Sequence, residues 1–137
     1  MPRPHDWNIG THHAWLESPD ELWLKVRGDT SLQDAITLLE LYRELGTQRP
    51  LFLVTDLTEA TSVDLKARDH ISWNGRPDWF RSAIYIGAGL MQRAVASSMT
   101  FLHSVTGHTA MAQHFVTTED EARALIAQER SLLDKFP

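Results

Sequence analysis

The sequence predicts one α/β domain: a mixed, mostly parallel β-sheet covered by helices and entered through an N-terminal antiparallel hairpin, in the order β-β-α-β-α-β-α-β-α. Three observations carry this. Short apolar runs alternate with helical patterns along most of the chain, as strand–helix–strand units require. The first two strand-like segments are joined only by the short turn Ser18-Pro19-Asp20, which makes a hairpin. The 137 residues suffice for one domain and are too few for two ordinary ones.

Residues 1–10 hold two prolines and a glycine and read as a flexible lead-in, leaving residues 11–137 as the single domain. His12–Glu17 is the first strand. In the second, Leu22, Leu24 and Val26 alternate with Trp23, Lys25 and Arg27, the period of a strand with one buried face. Gly28-Asp29 closes the hairpin. Thr30 or Ser31 caps the next helix, with Gln33 or Asp34 three residues on. Leu32, Ala35, Ile36, Leu39 and Tyr42 then follow helical spacing, widened by Leu38, Leu41 and Leu45, and Gly46 suits the helix end.

Leu51–Val54 is a short apolar run fitting a strand buried on both faces, and Thr55–Thr58 leaves it. A less regular helix spans about Ser62 to Trp73, followed by the turn Asn74–Pro77. Ala83–Gly87 is another buried strand. Gly89 to about Val105 reads as a helix with Leu90, Ala94, Val95, Met99 and Leu102 inward, ended by Gly107. Met111–Val116 is the last strand. Thr118 with Glu121 forms a capping box for a final helix carrying Ala122, Leu125, Ile126 and Leu132-Leu133.

Composition narrows the function. The formal charge of −5 lacks the basic excess of a nucleic-acid binder. The absence of cysteine removes disulfides, thiolate metal sites and thiol nucleophiles. No apolar run is long enough for a signal peptide or a membrane span, so a cytoplasmic protein without integral membrane association is expected. The histidines, His103, His108 and His114 among them, show no ligand spacing, and no metal or cofactor is expected. No nucleophile or acid–base motif stands out, so the expectation is not an enzyme.

The opening HHAWLESPDELWLKVRGDTSLQDA, the segments RPLFLVTDL and RPDWFRSAIYIGAG, and the closing TTEDEARALIAQ cover the chain from about residue 11 onward. In pattern and organisation they resemble the STAS fold, and more closely the SpoIIAA-like proteins described as STAS/SEC14 domain proteins. In anti-sigma-factor antagonists of that family a central strand ends in an Asp. An Asp-Ser-Ser-Gly motif follows at a helix start, where a partner kinase, an anti-sigma factor, phosphorylates one serine. Asp56 falls on the strand-end Asp, and Thr61, Ser62, Val63 and Asp64 fall on the motif. Only Ser62 matches in residue type, and Val63 stands at the phosphorylated serine.

The resemblance implies a non-enzymatic regulatory or protein-interaction module in signalling or transcription regulation, with a degenerate phosphoswitch. Asp56, Thr58, Thr61 and Ser62 are its interaction and phosphorylation candidates, and an anti-sigma-type kinase or other signalling protein is its partner. The SEC14 part of the description implies the alternative, a module binding a small apolar ligand or lipid. Trp73, Trp79, Phe80, Met91 and Phe101 would line that pocket.

Each candidate also has a purely structural reading. Ser62, ahead of Val63-Asp64-Leu65, is a good helix N-cap. Asp56 binds backbone N–H groups of the following loop. Gly87-Ala88-Gly89 is a tight strand-to-helix turn rather than an anion cradle. Trp23, Trp73 and Trp79 pack over the ends of the sheet or else form a partner surface. Homo-oligomerisation through an edge strand of the hairpin stays open.

Overall fold

The computed structural model describes residues 6–87, 89 and 112–135. These form one six-stranded sheet whose spatial order follows the chain. The strands are β1 (Asp6–Ile9), β2 (His12–Ser18), β3 (Glu21–Thr30), β4 (Leu51–Val63), β5 (Phe80–Ile86) and β6 (Ala112–Val116). β1, β2 and β3 pair antiparallel; β3 through β6 pair parallel. The described helices are α1 (Leu32–Gly46), α2 (Leu65–Asn74) and α3 (Glu119–Lys135), with a 3-10 turn at Pro77–Trp79.

The sheet is buried on both faces. On one, Leu22, Leu24, Val26, Leu51 and Leu53 meet Leu38, Leu39, Leu41 and Tyr42 of α1, with Ile71 of α2 packed against them. On the other, Trp23, Phe52, Val54, Ile84 and Ile86 meet Ala122 and Ile126 of α3. The alternation in β3 decides this split: its leucines face α1 and Trp23 faces α3. α1 begins at Ser31, whose hydroxyl accepts from Asp34 N–H while the Asp34 carboxylate accepts from Ser31 N–H. It ends at Gly46, where a Cβ would lie 2.5 Å from Trp79 Cβ, so only glycine lets the 3-10 turn come this close.

Several boundaries differ from the sequence reading, among them the start of β5, which is at Phe80 rather than Ala83. Asp6–Ile9, expected in the flexible lead-in, add an edge strand to the sheet. Ile9 is buried in the α1-side core and Trp7 packs against it, which ties the segment down. Gly28-Asp29 do not close the hairpin; β3 runs on to Thr30, with Gly28 at φ +73°. β4 does not end near Asp56 but continues to Val63, so α2 starts at Leu65 rather than Ser62. Its second half reads as a loop because Thr58, Glu59, Thr61 and Ser62 are polar, yet β3 pairs with it throughout. The expected helix from Gly89 to Val105 lies outside the described residues.

Candidate functional site

The carboxyl ends of β3 and β4 form the feature that stands out from the packed sheet. β4 pairs with β3 as far as Thr30↔Val63, but with β5 only from Leu51 to Asp56. Beyond Asp56, among the described residues, β4 is held on one side. Two register shifts interrupt this half, between Lys25 and Arg27 and between Gly28 and Asp29, each with an extra residue on β4. Such bulges re-aim side chains.

The effect is plain at Thr61 and Ser62. Neighbours in a regular strand point to opposite faces. Here both hydroxyls reach one carboxylate: Ser62 Oγ donates to Asp29 Oδ1 at 2.7 Å, and Thr61 Oγ1 donates to the same oxygen. All three residues are exposed or nearly so. The Ser62 hydroxyl first, and that of Thr61 second, hold the Asp29 carboxyl below the usual carboxylate range.

At the first bulge, Asp56 Oδ1 accepts from the Thr58 N–H at 3.0 Å and from Thr58 Oγ1 at 2.7 Å. The Thr58 methyl lies 2.5 Å from where a Cβ on Gly87 would sit, and Gly87 itself has φ +66°. Thr58 is therefore wedged between β4 and the end of β5. Glu59 pairs with Lys25 at 3.1 Å and Arg27 at 3.8 Å. Just past the hydroxyls, Val63 and Leu65 are 38% and 65% exposed, and Trp73 on α2 is 62% exposed.

A buried histidine supports the β3 side of this end. His12 Nδ1 accepts the Arg27 N–H at 3.0 Å. Its Nε2 lies 3.2 Å from Thr30 Oγ1 and 3.5 Å from Asp34 Oδ2. Asp29 thus sits between two backbone positions that one imidazole secures. Burial lowers the His12 pKa, partly opposed by the Asp34 charge and hydrogen bond.

The sequence candidates separate accordingly. Asp56 lies at the middle of β4, and Thr58, Thr61 and Ser62 on its distal half, all within the strand rather than in a loop. Ser62 is not the helix cap: Asp64 holds the N-cap position and makes no side-chain cap bond. The described pocket candidates, Trp73, Trp79 and Phe80, do not line one cavity together. Trp79 lines an open cleft of about 590 Å³ together with Ile36, Arg43, His70 and Arg76. Phe80 packs edge-on against Tyr42 and Trp79, and Trp73 is at the surface. Met91 and Phe101 lie outside the described residues, as do His103 and His108.

Trp23 is core: 1% exposed, stacked on Trp15 and covered by the Arg123 guanidinium 4.4 Å from its ring. His114 Nε2 is 3.0 Å from Glu129 Oε1. Among the described residues no three His, Asp or Glu side chains are grouped to hold a metal ion, and no helix is long and apolar enough to cross a membrane.

Asp29 and His12 escaped the sequence reading. Asp29 reads as a turn residue after Gly28, and its partners lie 32 and 33 positions away.

No protein-family model matches the chain, and no curated protein matches it. Solved structures do. An uncharacterized protein of the DUF3478 family from Shewanella loihica PV-4, described as having a SpoIIAA-like fold, superposes with a TM-score of 0.62 at 14% identity, covering 91% of this chain and 98% of that one. The anti-sigma factor antagonist SpoIIAA in its unphosphorylated form gives a TM-score of 0.58 at 10% identity, covering 85% of this chain and 98% of that one. The chain has a SpoIIAA-like fold. The antiparallel hairpin followed by parallel strands, expected from the sequence, is the architecture it shares with them. Thr61, Ser62 and Val63 end a bulged strand, with Asp29 across the ladder.

Proposed function

We propose that this SpoIIAA-like chain is a non-enzymatic protein-interaction module that meets a signalling partner through the distal half of β4 and the start of α2. One observation carries the reading: the exposed Thr61 and Ser62 hydroxyls, gathered on Asp29, are followed directly by the exposed apolar side chains of Val63 and Leu65. Apolar anchors beside polar groups are what a partner surface needs. The fold's likeness to an anti-sigma factor antagonist supports the class of role. An anti-sigma-type kinase or a related signalling protein is the partner this favours, in the cytoplasm.

Within the site, Val63 and Leu65 supply apolar contact, and Asp29 orients the hydroxyls. Ser62 is the candidate phosphoacceptor, with Thr61 beside it. Thr58 is less suited, because its hydroxyl and methyl are both engaged in holding the strand. A non-enzymatic role is supported by how the polar groups are used: Asp29 and Asp56 each accept from hydroxyl or backbone donors rather than facing a cavity. The apolar-ligand alternative draws less support, since the α1–α2 cleft is open and edged by Glu40, Arg43, Arg76 and Asp78.

The test is photo-crosslinking in the source cells. A photoreactive residue at position 65 should join a single protein, and one at position 132, an exposed leucine of α3, should not. Adding Ser62→Glu should reduce the adduct by about tenfold or more, as a charge set into a partner surface does. No adduct from position 65, or equal adducts from both positions, would overturn the reading.

A further inference from the structure

We propose that Asp29 converts a phosphoryl group on Ser62 into an opening of the distal β3–β4 ladder, so that modification reshapes the surface rather than merely covering it. The inference rests on Ser62 as the phosphoacceptor of the site described above. It adds how the signal is transmitted and which residue transmits it.

Register selects Ser62. Asp29 and Ser62 are direct partners across the parallel ladder, whereas Thr61 is the extra residue of the bulge. A charge on Ser62 is therefore set across from the Asp29 carboxylate, to which Ser62 Oγ now donates at 2.7 Å. In the transfer, the terminal phosphoryl of a nucleoside triphosphate moves from a partner kinase's active site to Ser62 Oγ. The new O–P bond forms as the bond from that phosphorus to the bridging oxygen breaks. Nucleoside diphosphate leaves, and the hydroxyl proton passes to solvent.

The product has lost the hydrogen that bridged Ser62 to Asp29. In its place a group of about −1.5 to −2 charges faces the Asp29 carboxylate across the ladder. The cations nearest along the ladder are already engaged: Lys25 and Arg27 both pair with Glu59. Asp64, two residues on, adds a further negative charge. Like charges directly opposite one another destabilise a strand pair.

Among the described residues, Leu57 and Ala60 pack this part of the sheet on the α1-side core only as far as the second bulge. Beyond Asp56, β4 has no partner on the β5 side among the described residues. Two bulges already interrupt its ladder. At the far end the Asp64 N–H donates to the Thr30 carbonyl at 3.0 Å, and α2 begins immediately after. Opening the Asp29–Val63 stretch therefore frees the first turn of α2, with Val63 and Leu65, from its anchor. The Thr58–Asp56 clasp and the Gly87 contact set a limit to the opening on the other side.

Amide hydrogen exchange on the full chain, free of partner, tests this. The forms compared are the unmodified chain, the chain carrying phosphoserine at position 62, and the same phosphorylated chain with Asp29→Asn. Phosphorylation should speed exchange at Asp29–Thr30 and Ala60–Asp64 by roughly three- to tenfold, from like-charge repulsion across the ladder. Exchange at Leu22–Leu24 and Leu53–Val54 should not change, which also reports that the fold is intact. Asp29→Asn should restore most of the lost protection, and 1 M salt should do so in part.

Unchanged distal exchange on phosphorylation would overturn the proposal, as would acceleration that Asp29→Asn leaves in place. Because no partner is present, either result stands apart from the crosslinking test of the surface itself. A chain that opens as described but crosslinks to nothing would instead refute the docking reading.

Discussion

The two ends of the β3–β4 ladder are built by different means. At the amino end, β4 lies between β3 and β5, and Leu22, Trp23, Leu51 and Phe52 are almost completely buried. Arg130 of α3 locks this end from outside. Its Nη1 and Nη2 reach the two Asp20 carboxylate oxygens at 2.9 and 2.7 Å, and Nη2 reaches Glu21 at 3.1 Å. The guanidinium also lies 5.0 Å over the Phe52 ring, and the Phe52 N–H donates to the Asp20 carbonyl at 2.8 Å. At the carboxyl end, among the described residues, β4 pairs with β3 alone, with two bulges and an exposed carboxylate collecting two hydroxyls. Apolar burial makes the first end the seat of stability. The second carries polar bonds between exposed side chains. His12 is the buried polar support of the carboxyl end, securing the last residues of β3.

If that division is right, the largest effect of any single change belongs to the amino end. Trp23→Ala should cost about 3–5 kcal/mol of unfolding free energy by denaturant titration, through lost burial and the cavity left under α3. A cost near zero would break the comparison at its stronger side.

Arg130→Ala should cost less, about 1 kcal/mol, because its hydrogen bonds are charge-assisted but partly screened by solvent. The Arg130 hydrogen bond, foremost, holds the Asp20 carboxyl below its ordinary range. A carboxyl depressed in the folded state stabilises above its unfolded pKa and loses that contribution as pH falls through the folded value. The penalty of Arg130→Ala should therefore shrink below about pH 4, where the unfolded carboxyl gains its proton. A penalty independent of pH would remove Asp20 from the account.

His12 sharpens the comparison from beneath the carboxyl end. Its folded pKa lies below the unfolded value, so the unfolded chain binds the proton first. Stability should be complete above about pH 6.5 and fall as pH drops from there toward the folded value. The slope of unfolding free energy against pH over that interval should lessen in His12→Gln relative to the unaltered chain. An identical slope in the variant would show that another group carries the dependence.

The smallest stability effect is expected at the carboxyl end. Ser62→Ala should leave the thermal midpoint unmoved and the apolar contact surface intact. Crosslinking from position 65 should persist and become indifferent to phosphatase treatment. A large drop in the midpoint would mean that this end carries folding energy after all.

The sequence makes the amino end legible and hides the carboxyl end, for physical reasons. Leu22, Leu24 and Val26 against Trp23 and Lys25, and the stripe of α1, are set by burial, which imprints its period on the chain. Distal β4 sets only Leu57 and Ala60, both partly buried, against the α1-side core, and its bulges break the period that strands otherwise show. Thr58–Ser62 therefore reads as a loop, and Ser62 as a cap two residues before the real one. Asp29 finds its partners through the parallel pairing of two strands separated by a whole helix, a relation no local pattern contains. β1 escapes local pattern for a simpler reason: its apolar anchors are Trp7 and Ile9, in a segment flanked by proline and glycine. Of the residues the family resemblance implies, Asp56 lies at the middle of β4, and Thr58, Thr61 and Ser62 follow it along the strand.

The most direct test of the account is amide hydrogen exchange of the chain with and without the partner captured from position 65. The account predicts new protection at Arg27–Thr30 and Leu57–Leu65, with none at Ser18–Leu22 or along α3. Protection centred on Ser18–Leu22 and the Arg130 side of α3, with the distal half of β4 unchanged, would contradict it.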